Sequence, residues 1–173
     1  RADSSNYLDW LCNFIKENDI DLFIRTSEAE IFVISNNIDQ IHGVTKILIN
    51  DQLIVNKCLD KFELLNFLNS KKVKVPKNGI VGQNFPSKYP TIVKQRRGQG
   101  GKGLQKIETE SIFKTCKNGL VWQDYLHPAD QEYTCAVYVS KNLDIKILLI
   151  KRVLVNGYTG KGIVVKDNQI RDY

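Results

Sequence analysis

The residues best suited to chemistry lie between Tyr89 and Glu108, in the stretch YPTIVKQRRGQGGKGLQKIE. A short apolar run, Thr91 to Val93, ends in Lys94, and a loop carrying Gly98, Gly100, Gly101 and Gly103 follows it. Glycine lets a backbone come close to a ligand and turn its amides inward, so such a loop can cradle phosphates. Lys94, Arg96, Arg97 and Lys102 supply the positive charge that a polyphosphate needs. A lysine that breaks an apolar strand has a reason to point at a partner, which singles out Lys94.

Several kinds of glycine loop exist, and the flanks discriminate between them. Gly98, Gly100 and Gly103 fit G-x-G-x-x-G, but a dinucleotide site needs a helix opening at the loop and an acidic residue ending the next strand. Here Leu104 to Ile107 alternates like a strand, and no G-K-[ST] ending is present. Strand, glycine loop, strand is the arrangement in which a hairpin folds over nucleotide phosphates. On the loop alone, a solvated basic hairpin and an arginine–glycine contact to RNA remain alternatives.

The elements that must position this loop fall into two parts. Leu8, Leu11, Cys12 and Ile15 have helical spacing, Ile20–Ile24 reads as a strand covered on both faces, and Lys46–Ile49 as another. Between them SEAEIFVISNNIDQI predicts one helix, capped by Ser27 with Glu30 in a capping box. Short connections of this kind imply a parallel sheet. Asp60 and Glu63 predict a second capping box, ahead of Leu64, Leu65 and Leu68. Beyond it, strands are expected at Thr91–Lys94, Leu104–Ile107, Leu120–Gln123, Tyr133–Ser140, Ile145–Val155 and Ile163–Lys166, with one helix between Thr109 and Lys117. Asn142 and Asn156-Gly157 mark turns. The fold class is therefore α/β followed by α+β, the second part rich in antiparallel strands.

Composition sets the outer limits. The chain has 173 residues, of which 42% are hydrophobic and 25% charged, an ordinary globular balance that excludes a disordered chain. No run approaches the ~20 apolar residues of a membrane span. The net charge of +6 and a pI near 9.1 suit polyanionic partners, nucleotide or nucleic acid alike. Cys12, Cys58, Cys116 and Cys135 lack any C-x-x-C pairing and read as buried free thiols of a reducing cytoplasm; two histidines cannot make a zinc site. The absence of Met and the opening Arg fit a piece of a longer gene product.

Four motifs in order give the chain a family resemblance. Asp60-Lys61, the strand Tyr89-Pro90 to Lys94 with its glycine loop, Val121 to Leu126 (VWQDYL), and Glu132-Tyr133-Thr134 together resemble the ATP-grasp superfamily. The likeness is to the branch of carbamoyl-phosphate synthetase large chains and related carboxylate–amine ligases. It implies residues 1–57 as the C-terminal part of a doubly wound pre-ATP-grasp domain, and 58–173 as an incomplete ATP-grasp domain. It further implies ATP as ligand, bound by Lys61 and Lys94 at the phosphates and by the amides of Gly98 to Gly103, including Gly100, Gly101, Lys102 and Gly103. The adenine edge would meet the carbonyl of Asp124 and the amide of Leu126, with Gln123 and Tyr125 in the same hinge, leaving the Asp124 side chain free. Glu132 would accept hydrogen bonds from the ribose.

The same resemblance implies an ATP-dependent ligase that turns a carboxylate into an acylphosphate for attack by an amine. Arg152 and the loop Asn156 to Gly162 would lie on the acceptor side. Two positions depart from the family: Gln95 stands where Pro is usual, and Gln123 where Glu is common. The family's Mg²⁺ ligands are expected beyond Ile163, so this stretch is expected to hold no metal and to be inactive by itself. The competing classes are a basic nucleic-acid-binding module, disfavoured by aromatics scattered away from the basic loop, and an ATP-grasp-like domain that binds nucleotide without catalysis.

Overall fold

The structure, a computed structural model, describes residues 1–98, 100–128 and 131–171. The chain divides into two compact units, Arg1–Val75 and Pro76–Tyr173.

In the first unit, α1 (Tyr7–Glu17) buries Tyr7, Leu11 and Ile15 along one face. The strands β1 (Leu22–Phe23) and β2 (Lys46–Ile47) pair in parallel, Phe23 opposite Ile47. Helices α2 (Glu28–Ser35) and α3 (Ile38–His42) form the crossover that a parallel pair requires. Two more helices follow: α4 (Gln52–Leu59), which the sequence pattern did not reveal, and α5 (Lys61–Ser70). The core gathers Tyr7, Leu11, Ile15, Ile34 and Ile41.

Ser27 caps α2 as expected: its hydroxyl accepts from the Glu30 amide, and the Glu30 carboxylate accepts from the Ser27 amide at 3.1 Å. The single helix expected to reach Ile41 is instead broken at Asn36-Asn37. Their side-chain amides turn back to the carbonyls of Phe32 (2.6 Å) and Val33 (2.8 Å), offering the backbone an alternative to the helical ladder. The first strand is also shorter than expected. Phe23 packs on the core, but Leu22 and Ile24 point the other way and are 52% and 54% exposed, so β1 is covered on one face only.

The second unit holds two antiparallel sheets. Strands β3 (Asn78–Ile80), β4 (Thr91–Lys94), β5 (Gln105–Ile107) and β6 (Val121–Asp124) lie in the order β3-β6-β4-β5. Val93, Ile107 and Trp122 on one face pack with Val81 and with Phe113 of α6 (Glu110–Phe113). That helix stops short of the expected Lys117. The amides of Thr115 and Cys116 bond three residues back, tightening the chain toward Gly119, whose φ is +85°.

Strands β7 (Tyr133–Val139), β8 (Ile145–Val155) and β9 (Tyr158–Val164) make the other sheet, and α7 (Asn168–Arg171) follows. Asn156 and Gly157 both have positive φ, +52° and +78°, the two-residue turn that matches strand twist. That turn closes the hairpin at once, with Val155 opposite Tyr158. Residues expected as a loop up to Gly162 are therefore strand, and β9 starts five residues before the expected Ile163. Large apolar side chains stand exposed on both faces of this sheet, Val137, Ile145 and Ile147 on one and Tyr138, Leu148 and Val164 on the other.

The cysteines are free, but only Cys12 and Cys116 are half-buried; Cys58 and Cys135 are exposed. Cys135 shares the uncovered face of β7 with Val137, which explains its departure from the expected burial. No helix among the described residues is long and apolar enough to cross a membrane.

Candidate nucleotide site

The antiparallel pairing of β4 with β6 sets Ile92 opposite Gln123 and Lys94 opposite Val121. Opposed residues share a face, so Lys94 and Gln123 project from the same side of the sheet. There the Lys94 ammonium donates to Gln123 Oε1 at 2.6 Å. Lys106, paired with Ile92 on β5, leaves that face too. Its ammonium lies 4.7 Å from the centre of the Tyr125 ring, a cation–π contact. Lys106 also pairs with Glu108 at 2.9 Å, and that hydrogen bond holds its pKa above the usual lysine value. Tyr125 in turn meets His127 edge-on, with ring centres 4.5 Å apart.

The loop after Lys94 is a glycine hairpin by conformation as well as by composition. Gly98, Gly100, Gly101 and Gly103 have φ of +124°, +66°, +66° and +71°, values that side-chain-bearing residues rarely adopt. Gln99, within the stretch expected to present amides, lies outside the described residues. The Leu104 amide closes the tip by donating to the Gly101 carbonyl at 3.1 Å, and the Gln95 side chain stands beside Gly98 and Gly103 at the neck. Lys102 is exposed. The strand β5 that follows excludes the dinucleotide arrangement, in which a helix would open here.

At the hinge, the buried Thr91 hydroxyl donates to the Gln123 carbonyl at 2.5 Å, and the Asp124 amide donates to the Lys77 carbonyl at 2.8 Å. The Asp124 side chain, expected to be free, is instead buried, with Oδ2 3.3 Å from the Lys88 ammonium. Inward-facing at the end of β6, it sits on the core side with Thr91 opposite. Leu126 is exposed.

Glu132 and Arg152, expected in separate roles, are one ion pair. Arg152 Nε and Nη2 both donate to Glu132 Oε1, at 3.0 and 2.6 Å, and the Arg152 amide donates to the Glu132 carbonyl. The register explains this: Tyr133 opposes Lys151, so the next residue on each strand must meet. Lys61 is the first residue of α5 in the first unit, where the buried Asp60 carboxylate accepts from the amides of Phe62 and Glu63 at 3.1 and 3.3 Å. The other candidate residues all belong to the second unit.

Lys106, Thr91 and Lys88 escaped the sequence reading. Lys106 alone left a signal there, since strand alternation puts it opposite in sense to the core residue Ile107. Two ammonium groups on one sheet face beside a hairpin of left-handed glycines can hold a polyphosphate. Among the described residues, no group of three or more His, Cys, Asp or Glu side chains could hold a metal ion.

The ATP-grasp domain model matches residues 58–171. An uncharacterized protein of Mycoplasma genitalium, MG011, is 22% identical over 134 residues, covering 75% of this chain and 45% of that protein. Among solved structures, the N5-carboxyaminoimidazole synthetase of Staphylococcus aureus, complexed with ADP, aligns with a TM-score of 0.65 at 19% identity, over 99% of this chain and 48% of that one. An L-amino acid ligase of Bacillus licheniformis aligns with a TM-score of 0.65 at 11% identity, over 95% and 42%. The chain thus spans less than half the length of each of these proteins and shares the fold of the two solved ones. Since the matched stretch takes in more than half of the chain, from the Asp60 cap through the last strand, this protein belongs to the ATP-grasp family.

Proposed function

We propose that the chain is the nucleotide-binding part of an ATP-dependent ligase, which activates a carboxylate as an acylphosphate for attack by an amine or similar nucleophile. One observation carries this reading: Lys94 and Gln123 share a sheet face at the mouth of a hairpin with four left-handed glycines. ATP fits that donor set, because the loop presents backbone where a side chain would fill the space over the phosphates. When bound, ATP supplies the phosphoryl group that turns the carboxylate into a reactive acylphosphate.

Within this reading Lys94 neutralises phosphate charge, and Gln123 Oε1 keeps its ammonium aimed. Lys61, in the first unit, is proposed as a second phosphate cation on the family resemblance alone. The amides of the glycine loop and the Lys102 charge cover the phosphates. The Asp124 carbonyl and Leu126 amide take the adenine edge, with Tyr125 held between Lys106 and His127. Glu132 takes the ribose, oriented by Arg152 rather than standing apart from it. Magnesium would bind through ligands other than the described residues, and these residues by themselves would not complete phosphoryl transfer. Carbamoyl-phosphate synthetase-like chemistry is the finer form of this proposal, and residues 1–57 are proposed as part of a pre-ATP-grasp domain. Four free cysteines support a cytoplasmic location.

The test is a thermal shift with a non-hydrolysable ATP analogue. The wild type is expected to be stabilised, and Lys94→Ala to bind about tenfold more weakly or worse, the loss of one charge-assisted contact. Undiminished stabilisation in Lys94→Ala would overturn the phosphate role. Salt-steep affinity for RNA without any analogue shift would replace this reading with the nucleic-acid one.

A further inference from the structure

The glycine loop is seated against a part of the second unit that its motif does not include. A methyl group at Gly100 would stand 2.5 Å from the Tyr158 hydroxyl oxygen and 2.7 Å from the ring carbon that bears it. One at Gly157 would run into the Gly100 carbonyl and come within 2.8 Å of the Gly101 amide nitrogen. The tip of the β4–β5 hairpin and the β8–β9 turn therefore touch backbone to backbone, with the Tyr158 ring as a wall beside them. This approach requires glycine on both sides. It gives Gly100 and Gly157 a steric purpose separate from any contact with phosphate.

The turn that receives the loop is itself held firmly. Asn156 and Gly157 are both left-handed, which fixes the hairpin, and Val155 pairs with Tyr158 directly across it. One residue further on, the Thr159 hydroxyl lies 3.4 Å from Arg152 Nη1, and Arg152 carries Glu132. A continuous path thus runs from the loop tip through Tyr158 and Thr159 to Arg152 and Glu132. Tyr158 is half-exposed and carries none of the core, so its position at the loop is not a by-product of burial.

We propose that Tyr158, with Gly157, is a positioning residue that seats the Gly100–Gly101 tip and so fixes where the loop amides stand over a bound polyphosphate. The phosphate half of this statement rests on the nucleotide reading; the seating half does not. A loop held in place before the ligand arrives loses less freedom on binding, so a loosened loop lowers apparent affinity in proportion to its closed fraction. The effect should fall on the phosphate end of the ligand and spare the end that meets the hinge.

The experiment has two arms. In the first, ligand-free protein is digested briefly with trypsin, and cleavage after Arg97 and Lys102 is timed. Tyr158→Ala is expected to be cut roughly three- to tenfold faster than wild type, as is Gly157→Asn, while Tyr158→Phe keeps the wall and the wild-type rate. Asparagine tolerates the left-handed backbone of residue 157, so that variant tests the wedge rather than the turn. In the second arm, affinities for a non-hydrolysable ATP analogue and for adenosine are compared. Tyr158→Ala should weaken the analogue about as much as cleavage accelerates and leave adenosine unchanged, with Tyr158→Phe restoring both. Unaltered cleavage in Tyr158→Ala and Gly157→Asn overturns the seat. Faster cleavage in a protein whose wild type binds no analogue overturns the nucleotide reading and upholds the seat. Equal losses for analogue and adenosine overturn the positioning role.

Discussion

The polar residues of this chain are used in pairs, and each pair constrains what its members can do. Lys94 donates to Gln123, Arg152 donates to Glu132, and Lys88 forms an ion pair with the buried Asp124. Gln123 is neutral, so the hydrogen bond it accepts leaves the charge of the Lys94 ammonium uncancelled. The capping box of α2 shows the same economy. Burial of Glu30 pushes its pKa up, but hydrogen bonds from the Thr26 amide, the Tyr7 hydroxyl and the Ser27 hydroxyl and amide outweigh it and hold the carboxyl below its ordinary 4.5. A carboxyl with a depressed folded pKa contributes stability that is present above its unfolded pKa and is lost as pH falls through the folded value. Urea unfolding at pH 6 and pH 3 should therefore show the wild type losing stability on acidification. Glu30→Gln should start less stable and lose less between those two conditions, and an equal loss in both proteins would contradict the assignment.

Between residues and the whole stand the elements, whose ends matter more here than their middles. The helix α5 has no fully buried residue, so its start depends on Asp60, which is 6% exposed and caps two amides. Asp60→Ala should cost about 1–2 kcal/mol in denaturant unfolding, and Asp60→Asn only a fraction of that, because asparagine caps nearly as well. The opposite case is the pair Asn36-Asn37, whose side chains end α2 where apolar spacing alone would have continued it. In the second unit, the turn at Asn156-Gly157 sets Val155 opposite Tyr158 and Leu154 opposite Thr159, and the register shifts beyond Leu154.

At the scale of the whole molecule, the most conspicuous property is apolar surface on both faces of the β7–β8–β9 sheet. Exposed patches of this kind bind other apolar surfaces. The chain is expected to enhance the fluorescence of a hydrophobic dye severalfold, and Val137→Lys with Ile147→Lys, which alter one of the two faces, should remove part of that enhancement without loss of far-ultraviolet circular dichroism. Unchanged dye binding in the double variant would place the sticky surface elsewhere. Much of this architecture was legible in the residues: the Ser27 capping box, the strand ending in Lys94, the glycine hairpin, the Asn-Gly turn and the presence of strand β7, though not its exposure on both faces. Those features are local, since propensity, capping and turn chemistry act over a few neighbouring residues. Pairings distant in sequence were not legible. That Glu132 belongs to Arg152, that Asp124 turns inward to Lys88, that Lys106 shares a face with Lys94, and that Gly100 must be glycine because of Tyr158 all depend on strand register. Register is set by the whole sheet, and only the tertiary structure decides it.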